Sequence, residues 1–205
     1  MTSLRTVGDH FPHYSATAVM GGDLSDADPE NPYDYFMTAS DEDASHYWRV
    51  VLFWPRDSQP SSQIEVAAFG IRHADFAIRG AQLLGVSVDT KYTHFHWRVT
   101  HEDLKRLPFP ILSDFNQVLT RAAGVLGAAG VADRAVFIVD PLNVIRHVSV
   151  SAGADHDVDD VLRVLDELRD DRAEGTCPLT ISQSFTSAIG PNSSAGTSGD
   201  NGSPA

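Results

Sequence analysis

The chain predicts an α/β fold with a central mixed sheet flanked by helices. Three observations carry this. "RVVLFW" (49–54), "AQLLGVSVD" (81–89) and "RAVFIVD" (134–140) are short, largely apolar, β-branched runs, as expected of strands buried on both faces. Helical patterns alternate with them. Finally, "DPLNVIRHVSV" (140–150) reads as a turn and a further strand, too close to its predecessor for a crossover and therefore an antiparallel hairpin.

Each helix has its own pattern. "QIEVAAFGIRHADFAIRG" (63–80) sets Val66, Phe69, Ala74 and Phe76 roughly on one face, and "HFHWRVTHEDLKRL" (94–107) also reads as helix. "VDDVLRVLDELRDD" (158–171) repeats Val158, Val161, Leu162, Val164, Leu165 and Leu168 at helical spacing. From residue 178 the composition turns to Ser, Gly, Pro and Asn, which cannot build a core. The expected organisation is one domain over 1–177 and a low-complexity, disordered tail over 178–205. There is no internal repeat.

Charge narrows the partners. Against 28 Asp+Glu stand 15 Lys+Arg, a formal net charge of −13, which opposes nucleic-acid backbones and anionic membrane faces. No apolar run approaches a bilayer span, and "MTSLRTVGDHFPHYSATAVMGG" lacks the apolar core of a signal peptide, so the expected location is the cytoplasm. The single cysteine, Cys177, rules out an intrachain disulfide and a thiolate-rich zinc cage.

The stretch "FWPRDSQPSSQIEVAAF" (53–69) joins a strand end to a helix start, where α/β domains commonly keep their chemistry. Here it is filled with Ser and Gln. Read locally, Ser62 followed three residues later by Glu65 is a capping box, and such a cap contributes about 1 kcal/mol. Read functionally, the helix N-terminus favours an anion, with the Ser62 hydroxyl among its contacts.

Several ordered motifs carry a family resemblance: "VVLFWPRD", "IEVAAFG", "LLGVSVDTKYTHFHWR", "LPFPILSDFNQVLTRAAGVL", "GVADRAVFIVDP" and "VDDVLRVLDEL". Across residues 4–170 the chain resembles the peroxiredoxins, in particular the alkyl hydroperoxide reductase C branch of actinobacterial type. The resemblance implies a thioredoxin-like fold with peroxiredoxin additions and a dimer or ring of dimers. It also implies an active-site pattern Pro-x-x-x-Thr-x-x-Cys, a Glu soon after, and a distant Arg brought beside the cysteine. Pro55, Glu65 and Arg134 match; Gln59 stands at the Thr position and Ser62 at the peroxidatic Cys position. Gln63 and Ile64 replace the family's Pro and Thr.

A hydroxyl cannot enter the thiolate-to-sulfenate cycle and is a weak nucleophile without an adjacent base, and the loop supplies no His. Cys177 stands where this branch carries its resolving cysteine, with no peroxidatic partner and no nearby cation to lower its pKa. His94, His96 and His101 share a segment, but His94 and His96 fall on opposite helical faces, so a metal is not expected and His94 and His101 read as structural or surface residues. Trp97 and Arg98 match the family; Arg98 is a weaker candidate for a second cation near the pocket. Phe53 and Trp54 read as core and pocket wall, and Pro108 and Pro110 as turn and strand-entry residues. No nucleotide-phosphate loop and no nucleophile elbow occur, and no cofactor is expected.

Two functions from different classes follow. In the preferred one the inherited pocket binds or transforms a small anionic molecule through Ser62, Gln59, Arg134 and Glu65. In the other the chain is a non-catalytic oligomeric scaffold or regulatory homologue that assembles with a paralogous peroxiredoxin. Residual peroxide reduction through Cys177 is a weaker third.

Overall fold

A computed structural model describes residues 3–151 and 156–175. In chain order the elements are β1 (Ser15–Val19), β2 (Phe36–Ser40), β3 (Trp48–Phe53), α1 (Pro60–Ile71), α2 (His73–Ala77), β4 (Ala81–Ser87) and α3 (Lys91–Thr100). They continue with β5 (Ile111–Ser113), α4 (Val118–Ala123), β6 (Arg134–Val139), β7 (Ile145–Ser151) and α5 (Val158–Gly175). The strands form one 7-stranded mixed sheet in the order β2-β1-β5-β4-β3-β6-β7. Pairing of β3 with β4 and of β4 with β5 is parallel, and every other neighbour is antiparallel. The three strands and the closing hairpin expected from the sequence are present, with β6 and β7 paired antiparallel from Arg134↔Ser151 to Val139↔Ile145.

Central β3 is buried along its whole length, and its two faces serve different cores. Val50, Leu52 and Trp54 pack with Val66 and Phe69 of α1, Phe76 of α2 and Val161, Leu162 and Leu165 of α5. Val51 and Phe53 face the other way, toward Phe11, Phe137 and the Leu119 and Ala123 side of α4. This two-sided burial is why the strands read as continuous apolar runs.

Helix boundaries depart from the sequence expectation in two places. The run 63–80 is two helices, broken at Arg72 (φ −94°, ψ 9°) just after Gly70. Glycine is a poor helix former, and a Cβ on Gly70 would stand 2.8 Å from Leu107 Cδ1, so this turn is held close to its neighbour. The run 94–107 begins earlier, where Thr90 caps α3 by accepting from the Thr93 backbone N–H, and ends at extended His101. Leu104 and Leu107 are buried through turns rather than helix. The β1–β2 hairpin carries no regular alternation and was not legible. Cys177 and the proposed 178–205 tail lie outside the described residues.

Candidate functional site

The loop after β3 leads into α1, and Pro60 decides where that helix begins. Proline suits the first helical position and forces the residue before it to be extended, so Gln59 (φ −85°, ψ 125°) becomes the N-cap. The Gln59 carbonyl accepts from the Ser62 N–H at 3.0 Å, but its side chain makes no capping bond. The capping box expected of Ser62 and Glu65 therefore does not form. Ser62 lies three residues inside the helix and Glu65 a turn further on. With Val66 and Phe69 they make the buried stripe of α1.

Glu65 instead closes a buried ionic cluster. One carboxylate oxygen accepts from Nη1 of Arg134, the first residue of β6, and the other accepts from the His156 backbone N–H at 2.9 Å and lies 3.0 Å from His156 Nδ1. Arg134 Nη2 donates to Ser61 Oγ at 2.9 Å. The serine that the arginine touches is thus Ser61, not Ser62. Ser62 is 0% exposed, and among the described residues neither its Oγ nor His156 Nε2 has a hydrogen-bond partner. Gln59 is exposed and Pro55 half-buried on the approach. Sequence reasoning missed Ser61 and His156. Ser61 was visible only as the neighbour of a more interesting serine, and His156 is brought to Glu65 from 91 residues away.

A second buried group pins the same loop. Trp54 Nε1 donates to Asp57 Oδ1 at 2.8 Å, and His94 Nδ1 lies 2.6 Å from Asp57 Oδ2. A carboxylate only accepts, so Nδ1 carries the proton. The Asp57 N–H donates to Asp89 beyond β4 at 2.8 Å. His94 is thereby a buried structural residue, and Trp54 is core. Ser62 lacks any partner, so neither histidine serves it as a base. Among the described residues no three of His, Cys, Asp and Glu converge as a metal site.

Arg98 is not a cation of this pocket. Fully buried, it donates to the carbonyls of Met20, Gly22, Leu104, Lys105 and Leu107, clamping the loop after β1 to the turns after α3. Burial, only partly opposed by the charge of Asp23, lowers its pKa to about 10. On β7, burial lowers His147, and nearby His156 acts in the same direction.

A mixed seven-stranded sheet with a buried Glu65–Arg134 pair, Glu65 in the second turn of the helix after β3, is the arrangement that the resemblance to the peroxiredoxins implies. Residues 7–148 match the AhpC/TSA family, and the chain belongs to it. It is 54% identical over 170 residues to the alkyl hydroperoxide reductase C of Mycolicibacterium smegmatis, covering 82% of this chain and 87% of that protein. The solved structure of Mycobacterium tuberculosis AhpC superposes with a TM-score of 0.77 at 53% identity, over 82% of this chain and 95% of the other. A reduced 2-Cys peroxiredoxin of Plasmodium vivax superposes with a TM-score of 0.72 at 25% identity, over 82% and 99%.

Proposed function

We propose that this member of the alkyl hydroperoxide reductase C branch has lost cysteine-based peroxide reduction and acts as a non-catalytic, oligomeric homologue, a cytoplasmic scaffold or regulatory subunit for a true peroxidase. One observation carries the reading: the Ser62 hydroxyl is sealed in the core without a partner, while Arg134 is ion-paired to Glu65. An oxygen at that position has no redox ladder. The geometry shifts the weight away from the anion pocket preferred on sequence grounds, because the cation such a pocket needs is already matched by a carboxylate.

The test has two arms. Hydrogen peroxide and cumene hydroperoxide consumption with dithiothreitol as reductant should stay at background in wild type and in Cys177→Ala. A robust rate that survives Cys177→Ala would overturn the reading, and one that vanishes with it would move the activity to Cys177. Native mass spectrometry of the chain mixed with a mycobacterial-type alkyl hydroperoxide reductase C should give mixed oligomers, and strict self-sorting would count against the regulatory role.

The small-anion reading keeps one supporting observation, two buried polar atoms without a partner among the described residues, Ser62 Oγ on α1 and Nε2 of the histidine that meets Glu65. It requires phosphate or acetate to raise the melting temperature of wild type but not of Arg134→Ala.

A further inference from the structure

Arg49 is the second residue of β3 and only 3% exposed, and among the described residues no carboxylate forms an ion pair with it. Its Nη2 donates to Asn143 Oδ1 at 2.5 Å, and the guanidinium lies 5.9 Å from the centre of the Phe11 ring. Nε and Nη1 are buried with no hydrogen-bond partner among the described residues. A desolvated guanidinium with two idle donors is costly unless an anion meets it.

The same side chain lines a cavity of about 490 Å³, a size typical of small-molecule sites. Tyr14, Tyr47, Leu84 and Phe109 supply apolar and aromatic wall, and Asp43 sits on the lining. The nearby carboxylates are already engaged. Asp43 accepts from the Ser40 N–H and hydroxyl at 3.0 and 2.7 Å, and Asp41 holds the Tyr14 N–H at 3.0 Å and lies 2.6 Å from His13 Nδ1. Burial raises the Tyr14 phenol and outweighs the opposing pull of Arg49, which acts on it as a charge and as a hydrogen-bonding neighbour, so Tyr14 offers the guanidinium a neutral hydroxyl and no anion.

This cavity is at the far end of the sheet from Ser62. Arg49 pairs with Val139 at the close of β6, whereas Phe53 pairs with Ala135 next to Arg134, four residues or ~13 Å along the strand. It is therefore separate from the cluster around residue 62.

We propose that this cavity is a binding site for a small carboxylate with an aromatic or alkyl body, the carboxylate meeting Arg49 and the body filling the wall formed by Tyr47, Leu84 and Phe109. The inference goes beyond the reading of residue 62 and stands whether or not that reading does.

Isothermal titration of the full chain with 3-phenylpropionate, benzoate and octanoate tests it, with 3-phenylpropanamide as the neutral control. At least one acid should bind saturably with a dissociation constant below about 1 mM, and the amide at least tenfold more weakly than 3-phenylpropionate. Arg49→Met should abolish the preference for acid over amide. Should that variant fail to fold, Ala77→Trp decides, because Ala77 is exposed at the cavity lining and an indole there would block the space without disturbing the core. Tenfold or greater loss of binding in Ala77→Trp supports the site. Absence of saturable binding by all three acids, equal binding of acid and amide, or binding indifferent to Ala77→Trp would overturn it.

Discussion

Replacing Ser62 by alanine should stabilise the protein. The Ser62 hydroxyl is fully buried and bonded to none of the described residues, and a hydroxyl taken from water without a partner costs roughly 1–3 kcal/mol on mutational scales. Removing one oxygen leaves a void of about 15 Å³, worth ~0.4 kcal/mol at ~24 cal/mol per Å³. The balance favours alanine by about 1 kcal/mol, a rise in melting temperature of roughly 2–4 °C for a chain of this length. Urea unfolding at pH 7 reads the same quantity as an increased midpoint at unchanged slope. Were Ser62 a helix cap or a ligand-bonded group in the free protein, the same substitution would destabilise by about 1 kcal/mol. A loss of that size would refute both the helix start at Pro60 and the isolation of the hydroxyl.

Arg98→Met should cost about 3 kcal/mol or more in urea unfolding, since the Met20 and Gly22 carbonyls, each worth roughly 1–3 kcal/mol when left unpaired, lose their donor. Gly85→Ala should destabilise by roughly 1–3 kcal/mol, because the new Cβ would stand 2.6 Å from Trp54 Cη2 and that ring is held by its bond to Asp57. Arg134→Met should cost roughly 3–5 kcal/mol by stranding Glu65, and adding Glu65→Gln should recover part of it, which a double-mutant cycle measures. Burial acts to raise the Asp140 carboxyl, but the Val144 N–H, Arg146 and the Leu142 N–H outweigh it and hold the pKa below its ordinary 3.8. A depressed carboxylate stabilises above the unfolded value and loses that contribution as pH falls through the folded one. The stability gap between wild type and Asp140→Asn should therefore be full at neutral pH and narrow below about pH 4.

The sheet's central strands and closing hairpin were legible because burial on both faces leaves an unmistakable apolar run, as at Val50–Phe53 and Ala135–Val139. Helix ends were less so. The pattern over 63–80 gave no sign that close packing of Gly70 on Leu107 accompanies a break at Arg72, since that contact joins distant segments. At the candidate site the motif found Glu65 and Arg134, which the structure brings into contact, whereas the capping box read from the Ser62–Glu65 spacing does not form. Pro60 was a visible start signal, and weighing it above the Ser62–Glu65 spacing would have moved the N-cap to Gln59. Arg98 misled for the opposite reason: a charge in a familiar motif suggests a pocket, and only the fold reveals five backbone carbonyls converging on it.

Retention of Glu65 and Arg134 beside a serine needs no surviving catalysis to explain it. Once both charges are buried, removing either one leaves the other uncompensated, so single steps away from the pair are costly. The hydroxyl at residue 62 is under no such constraint, because none of the described residues is bonded to it. Ser62→Cys separates these views. A thiol introduced at this position, with Gln59 unchanged and Arg134 tied to Glu65 and Ser61, should react with hydrogen peroxide far more slowly than a mycobacterial alkyl hydroperoxide reductase C assayed alongside it, as followed by sulfenic-acid trapping. Full peroxidase reactivity in that variant would mean that the ionic cluster is still poised for catalysis and that sulfur alone was missing.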